Sequence, residues 1–105
     1  MLFIETPVFT KAVRALLSDN DYRELQQTLV LRPEAGNIIQ GSGGLRKIRW
    51  NSSGSGKRGG LRVIYYWDIP DDTIYMLLIY KKSRQEDLTP DQLRLLRNLV
   101  KEWLQ

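Results

Sequence analysis

A chain of 105 residues with 42% hydrophobic and 10% aromatic content can bury one modest core, so composition predicts a single domain over residues 1–105 and leaves no room for a second. It has neither Cys nor His, which excludes zinc in its usual ligand sets, Ser-His-Asp and Cys-His nucleophiles, and paired-histidine acid-base chemistry. The net charge of +4 is concentrated: residues 35–67 hold no acid but carry Arg46, Lys47, Arg49, Lys57, Arg58 and Arg62, leaving the rest of the chain net negative by two.

The N-terminal run Met1 to Glu5 has no basic leader and no long hydrophobic region, so a soluble, cytoplasmic protein with no membrane association is expected. Leu2 to Glu5 reads as a short strand. Thr6-Pro7 supplies an N-cap followed by proline at the first helical position, and a helix is predicted from Pro7 to about Leu17 with Phe9, Val13, Leu16 and Leu17 on its buried stripe. Ser18 caps a second helix with Tyr22, Leu25 and Leu29 inward, and Arg32-Pro33 ends it.

Gly41 to Gly44 is expected to be a flexible turn leading into a strand from Leu45 to Trp50. Alternation sends Lys47 and Arg49 to one face of that strand and Arg46 and Ile48 to the other. Asn51 to Gly60 is a Gly/Ser loop too long for a tight hairpin and is expected to be mobile. Leu61 to Asp68 and Thr73 to Tyr80 form an antiparallel hairpin whose faces are both apolar; it should be central and covered on one side by helices. Thr89, Pro90 and Gln92 make a capping box for a last helix reaching about Leu104, with Leu93, Leu96, Val100 and Trp103 forming a core or partner-binding stripe. The order β-α-α-β-β-β-α implies an α+β fold with helices packed on a small, largely antiparallel sheet.

A concentrated run of cations implies a polyanionic partner, and all eight glycines lie in the same stretch, from Gly36 to Gly60, where they leave backbone open to a ligand. The plainer reading is that cations on strand edges prevent aggregation and Gly/Ser runs are ordinary loops. Against it stand Trp50, Tyr65, Tyr66 and Trp67, which interleave with the cations and could stack on unpaired bases. Carboxylate chemistry is poorly supported: Asp71 and Asp72 are turn formers, and Glu86 and Asp87 precede a helix whose dipole favours acids.

The segments Gly44-Leu45-Arg46-Lys47-Ile48-Arg49 and Gly60-Leu61-Arg62-Val63-Ile64-Tyr65-Tyr66, with the strand end Ile79-Tyr80-Lys81-Lys82 and the pair Asp87-Leu88, resemble RelE-superfamily toxins of bacterial type II toxin-antitoxin systems, in the branch that includes HigB. The resemblance spans nearly the whole chain. It implies a microbial RNase fold, ribosome-dependent cleavage of mRNA in the ribosomal A site, no cofactor or metal, and a cognate antitoxin as partner. By motif position Lys47 and Arg49 match the basic pair on the first central strand, Arg62 the arginine that opens the next, and Lys82 the basic position after the last. Lys47, Arg62 and Lys82 are the catalytic candidates, and Arg49, Arg46, Lys57, Arg58 and Tyr66 the candidates for binding substrate. Some relatives place a tyrosine after the Asp-hydrophobic pair; this chain has Thr89.

Those residue types suit attack of an RNA 2′-hydroxyl on the adjacent phosphorus. Guanidinium groups bind two phosphoryl oxygens at once, which fits Arg62, and a lysine crowded by other cations gives up its proton more readily, so Lys47 or Lys82 is the candidate base. Two other readings remain open at this stage: a ParE-like inhibitor of DNA gyrase on the same scaffold, and a nucleic-acid-binding module without turnover whose Lys57 and Arg58 contact phosphates.

Overall fold

The computed structural model describes residues 1–51 and 60–104. Lys57 and Arg58, and most of the glycine loop expected to be mobile, lie outside the described residues. The elements run β1 (Leu2–Glu5), α1 (Pro7–Leu16), α2 (Asp19–Leu31), β2 (Asn37–Ile38), β3 (Arg46–Trp50), β4 (Leu61–Asp68), β5 (Thr73–Lys81) and α3 (Pro90–Trp103). All three N-caps foreseen from the sequence form: the Thr6 side chain accepts from Phe9 N–H, Ser18 from Asp21 N–H, and Thr89 with Gln92 closes a reciprocal box.

The five strands make one mixed sheet in the order β1-β5-β4-β3-β2. β1 runs parallel to β5, and the other three pairings are antiparallel. The α+β class stands, with two additions: a two-residue strand, β2, precedes β3, and helices cover both faces of the sheet instead of one. On one face α1 and α2 bury Phe9, Val13, Leu25 and Leu29 against Val63, Tyr65, Ile74, Met76 and Ile79. On the other, Leu96 and Val100 of α3 pack on Leu45, Ile64 and Leu77. Two apolar faces are what a central strand pair needs when each face receives its own helix layer.

A β-bulge divides the β4–β5 hairpin: Ile64 pairs with Leu78, but the next residue, Tyr65, pairs with Met76, leaving Leu77 extra. Leu77 and Leu78 therefore both join the α3 cluster, and alternation changes phase between the two ends of β5. Thr6 serves this irregularity. Its backbone N–H donates to Met76 O at 3.0 Å, and its hydroxyl donates to the Leu77 carbonyl at 2.9 Å while capping α1.

The connection from β2 to β3 is more built than its glycines suggested. Ser42, 1% exposed, donates from its hydroxyl to Ile39 O and accepts from Leu45 N–H at 3.0 Å. Gly44 has φ +108°, and a Cβ there would lie 3.1 Å from the Tyr66 ring, so glycine is required on two counts. From α3, Arg97 Nη1 donates to Gly41 O at 3.2 Å. Each of these contacts removes freedom from the turn that the sequence alone left flexible.

Candidate active site

Strand register decides which cations meet. Arg49 pairs with Arg62, Lys47 with Ile64, and Arg62 in turn with Tyr80. Directly opposed residues share a face, so Lys47, Arg49, Arg62 and Tyr80 lie on the α3 face of β3, β4 and β5. Two guanidinium-bearing residues directly opposite one another destabilise a sheet. The fold alone gives no reason for the Arg49/Arg62 pair, and such a pair marks a site arranged for an anion.

Asp87, from the segment between β5 and α3, closes on this cluster. Its Oδ1 accepts from Lys47 Nζ at 2.5 Å, with the Lys47 side chain 25% and the Asp87 side chain 69% exposed. That hydrogen bond, the Lys47 charge and, further off, Arg62 hold the Asp87 carboxyl below the usual carboxylate range. Arg62 is itself buried, 4% exposed, with Nη1 donating to its neighbour Leu61 O at 3.3 Å. Burial pushes the Tyr80 hydroxyl up, Asp87 adds to the shift and Arg62 opposes it. The Tyr80 hydroxyl has no hydrogen-bond partner among the described residues.

Tyr80 and Asp87 were not singled out as site residues from the sequence. Tyr80 was hidden by the bulge, which sets its face. Position before a helix suggests a dipole role for Asp87, yet α3 is capped by Thr89 and Gln92, and the Asp87 carboxylate spans to Lys47, 40 residues away. Lys47 therefore has a carboxylate beside it as well as cations.

Of the other residues singled out from the sequence, Lys82 is exposed just past β5, its N–H donating to Gly60 O at 2.9 Å, so its backbone lies two residues from Arg62 on the neighbouring strand. Arg46 stands apart. Its guanidinium donates to Gly36 O at 2.8 Å and Glu34 O at 3.3 Å on the α1/α2 face, where it ties down the segment before β2. Tyr66 also stands apart, half-buried in the α3 cluster and four residues from Arg62, roughly 13 Å along the strand. Trp50 and Trp67 pack on the α1/α2 cluster and Tyr65 is 0% exposed, so these aromatics build the core and offer no stacking platform beside the cations. The reason is alternation itself: a residue next to a cation in a strand lies on the opposite face.

Beside the cluster, β2 and β3 wall a groove of about 560 Å³ that includes Asn37, Ile39, Gln40, Lys47 and Arg49. Among the described residues no group of three or more acidic side chains is placed to hold a metal ion, and no helix is long and apolar enough to cross a membrane.

A family model described as the RelE toxin of the RelE/RelB toxin-antitoxin system matches residues 5–105. The chain belongs to the RelE toxin family. It is therefore a toxin of a toxin-antitoxin system. Among solved structures it is similar to the free state of E. coli toxin RelE, determined as a double arginine-to-alanine variant, with 22% identity and a TM-score of 0.58 over 81% of this chain and 86% of that one. At that identity the likeness establishes the fold, and it agrees with three helices on a five-stranded mixed sheet. Within this RelE scaffold the basic cluster lies on the two strands, β3 and β4, that flank the glycine loop.

Proposed function

We propose that the protein is a ribosome-dependent endoribonuclease that cleaves mRNA in the ribosomal A site without a metal and is neutralised by a cognate antitoxin. The observation that carries this reading is the convergence of Lys47, Arg49 and Arg62 on one face of two neighbouring strands, with Asp87 closing over Lys47. Membership of the RelE toxin family supports it.

In this reading the scissile phosphate takes the place of the Asp87 carboxylate on Lys47. Arg62 and Lys47 neutralise the charge that builds on the phosphoryl oxygens, and Arg49 holds the neighbouring backbone. Once Lys47 turns to the phosphate, Asp87 loses the hydrogen bond that lowers its basicity most, so the displaced carboxylate recovers strength as a proton acceptor close to the reacting 2′-hydroxyl. The 2′-oxygen forms its bond to phosphorus as that proton goes to Asp87. The bond from phosphorus to the 5′-oxygen breaks, and Lys82 donates the proton that the leaving oxygen needs. The products are a 2′,3′-cyclic phosphate and a 5′-hydroxyl end.

Mapping mRNA ends on programmed ribosomes with wild type and Arg62→Ala tests this. A charge-bearing donor aimed at a transition state contributes about 10²- to 10³-fold, so the variant should cut at least about a hundredfold more slowly. Equal cleavage by both would remove Arg62 from the mechanism, and intact transcripts with inhibited gyrase would favour the ParE-like reading. Protein stripped with chelator and then assayed on ribosomes at unchanged magnesium should cut at the unstripped rate.

A further inference from the structure

Short as β2 is, its register gives it a place in the site. Asn37 pairs with Lys47, so its side chain stands on the cationic face one strand further out, a step of about 5 Å. Gln40 follows on the same edge, and both residues are exposed. They line the groove of about 560 Å³ whose other wall is Lys47 and Arg49, a size within the span of roughly 300–1,000 Å³ typical of ligand sites.

The position of Asn37 is fixed from both sides. Just before it, Gly36 N–H donates to the buried Tyr65 hydroxyl at 2.8 Å; just after β2, Ile39 N–H donates to Leu45 O at 2.8 Å. A recognition group held this way has little freedom left to lose on binding.

The two walls differ in chemistry. Cations suffice for a phosphate, whereas a carboxamide presents a donor and an acceptor side by side, and a phosphate would use only the donor and leave the acceptor idle. That pair complements adenine, whose amino group and N7 meet an Asn or Gln in a bidentate contact. Unpaired RNA exposes such base edges, one sugar away from its phosphates.

We infer that the β2–β3 groove is a nucleobase subsite in which Asn37, aided by Gln40, reads the edge of an adenine whose phosphate is held by Lys47 and Arg49. This rests on the RNA-cleaving reading above and extends it from gripping the backbone to choosing the base.

Titration of the free protein, followed by NMR, with adenosine 5′-monophosphate, purine riboside 5′-monophosphate and ribose 5-phosphate tests the inference. The first two differ only in the amino group that the carboxamide would accept from. Wild type should bind the adenosine compound about fivefold or more tightly than the purine riboside compound, the lower end expected for one bidentate contact. Asn37→Ser combined with Gln40→Ser should equalise the two while leaving ribose 5-phosphate affinity unchanged. Asn37→Leu, which keeps the size and branching but can accept nothing from the amino group, should erase the preference even if the serine variant folds poorly. Equal binding of the two nucleotides by wild type, or a preference that survives these substitutions, overturns the subsite and leaves the phosphate grip standing. If wild type binds none of the three compounds, or if Lys47→Ala with Arg49→Ala binds ribose 5-phosphate as wild type does, the phosphate grip itself is refuted and the subsite falls with it.

Discussion

Tyr65→Phe should cost far more than the loss of one oxygen suggests. The hydroxyl is buried in the sheet, donates to Pro33 O at 2.7 Å and accepts from Gly36 N–H at 2.8 Å, so it ties the segment after α2 to β4. Phenylalanine fits the same space but leaves a buried backbone N–H and a backbone carbonyl without their partner. An unsatisfied buried group costs about 1–3 kcal/mol. The pair thus sets an upper range of about 2–6 kcal/mol, reduced to about 2–3 kcal/mol because Pro33 is only half-buried and Arg46 still holds Gly36 O and Glu34 O. Urea denaturation of both proteins at pH 7 should show that loss with an unchanged m-value, and hydrogen exchange should quicken at Gly36, Asn37 and Ile38 before it does in β5. A difference below about 0.5 kcal/mol would mean that the hydroxyl holds nothing in place and that β2 is positioned by its ladder and its turn alone.

Asp87→Asn should slow ribosomal cleavage about a hundredfold, the lower part of the range for a general base, while tightening phosphate binding because Lys47 is released; cleavage at the wild-type rate would exclude Asp87 as proton acceptor. Burial, then the charge of Asp71 and a hydrogen bond with it, push the Asp68 carboxyl up. Its folded-state pKa therefore exceeds the unfolded one, so its contribution is most favourable below the unfolded value and is lost as pH rises, and Asp68→Asn should raise Tm more at pH 7 than at pH 4. The Tyr22 hydroxyl is pushed far above its usual range by burial and then by its hydrogen bond to Glu5. The unfolded tyrosine ionises near pH 10 while the folded one stays protonated, so wild type should lose stability as pH rises above about 10, and Tyr22→Phe should flatten that decline in alkaline denaturation.

The helices were legible because their signals are local. Thr6-Pro7, Ser18, and Thr89-Pro90 with Gln92 each satisfy backbone donors within one turn, and the apolar spacing of Phe9, Val13, Leu25, Leu29, Leu96 and Val100 selects the buried stripe whatever lies opposite. The convergence of Lys47 and Arg49 was legible for the same reason, since alternation along one strand is a local property. What escaped depends on register between strands. The two residues of β2 carry no periodicity, and the extra Leu77 cannot be told from a regular strand residue in an apolar run. The contact of Asp87 with Lys47 joins segments that only the folded sheet brings together. The aromatics misled through the same alternation: interleaved in sequence with cations, they are sent to the other side of the sheet or beneath α3.

The extra residue in β5 acts as a phase shifter between two halves of the molecule. Before it, the strand is set by its partnership with β1; after it, by the need to aim Tyr80 toward Arg62. Pairing Leu77 regularly, opposite Ile64, would leave residues 73–76 where they are but set every later residue back one place, bringing Ile79 opposite Arg62 and sending Tyr80 to the opposite layer. One leucine without a strand partner, its carbonyl claimed by Thr6, thus determines which side chain the basic end of the sheet receives.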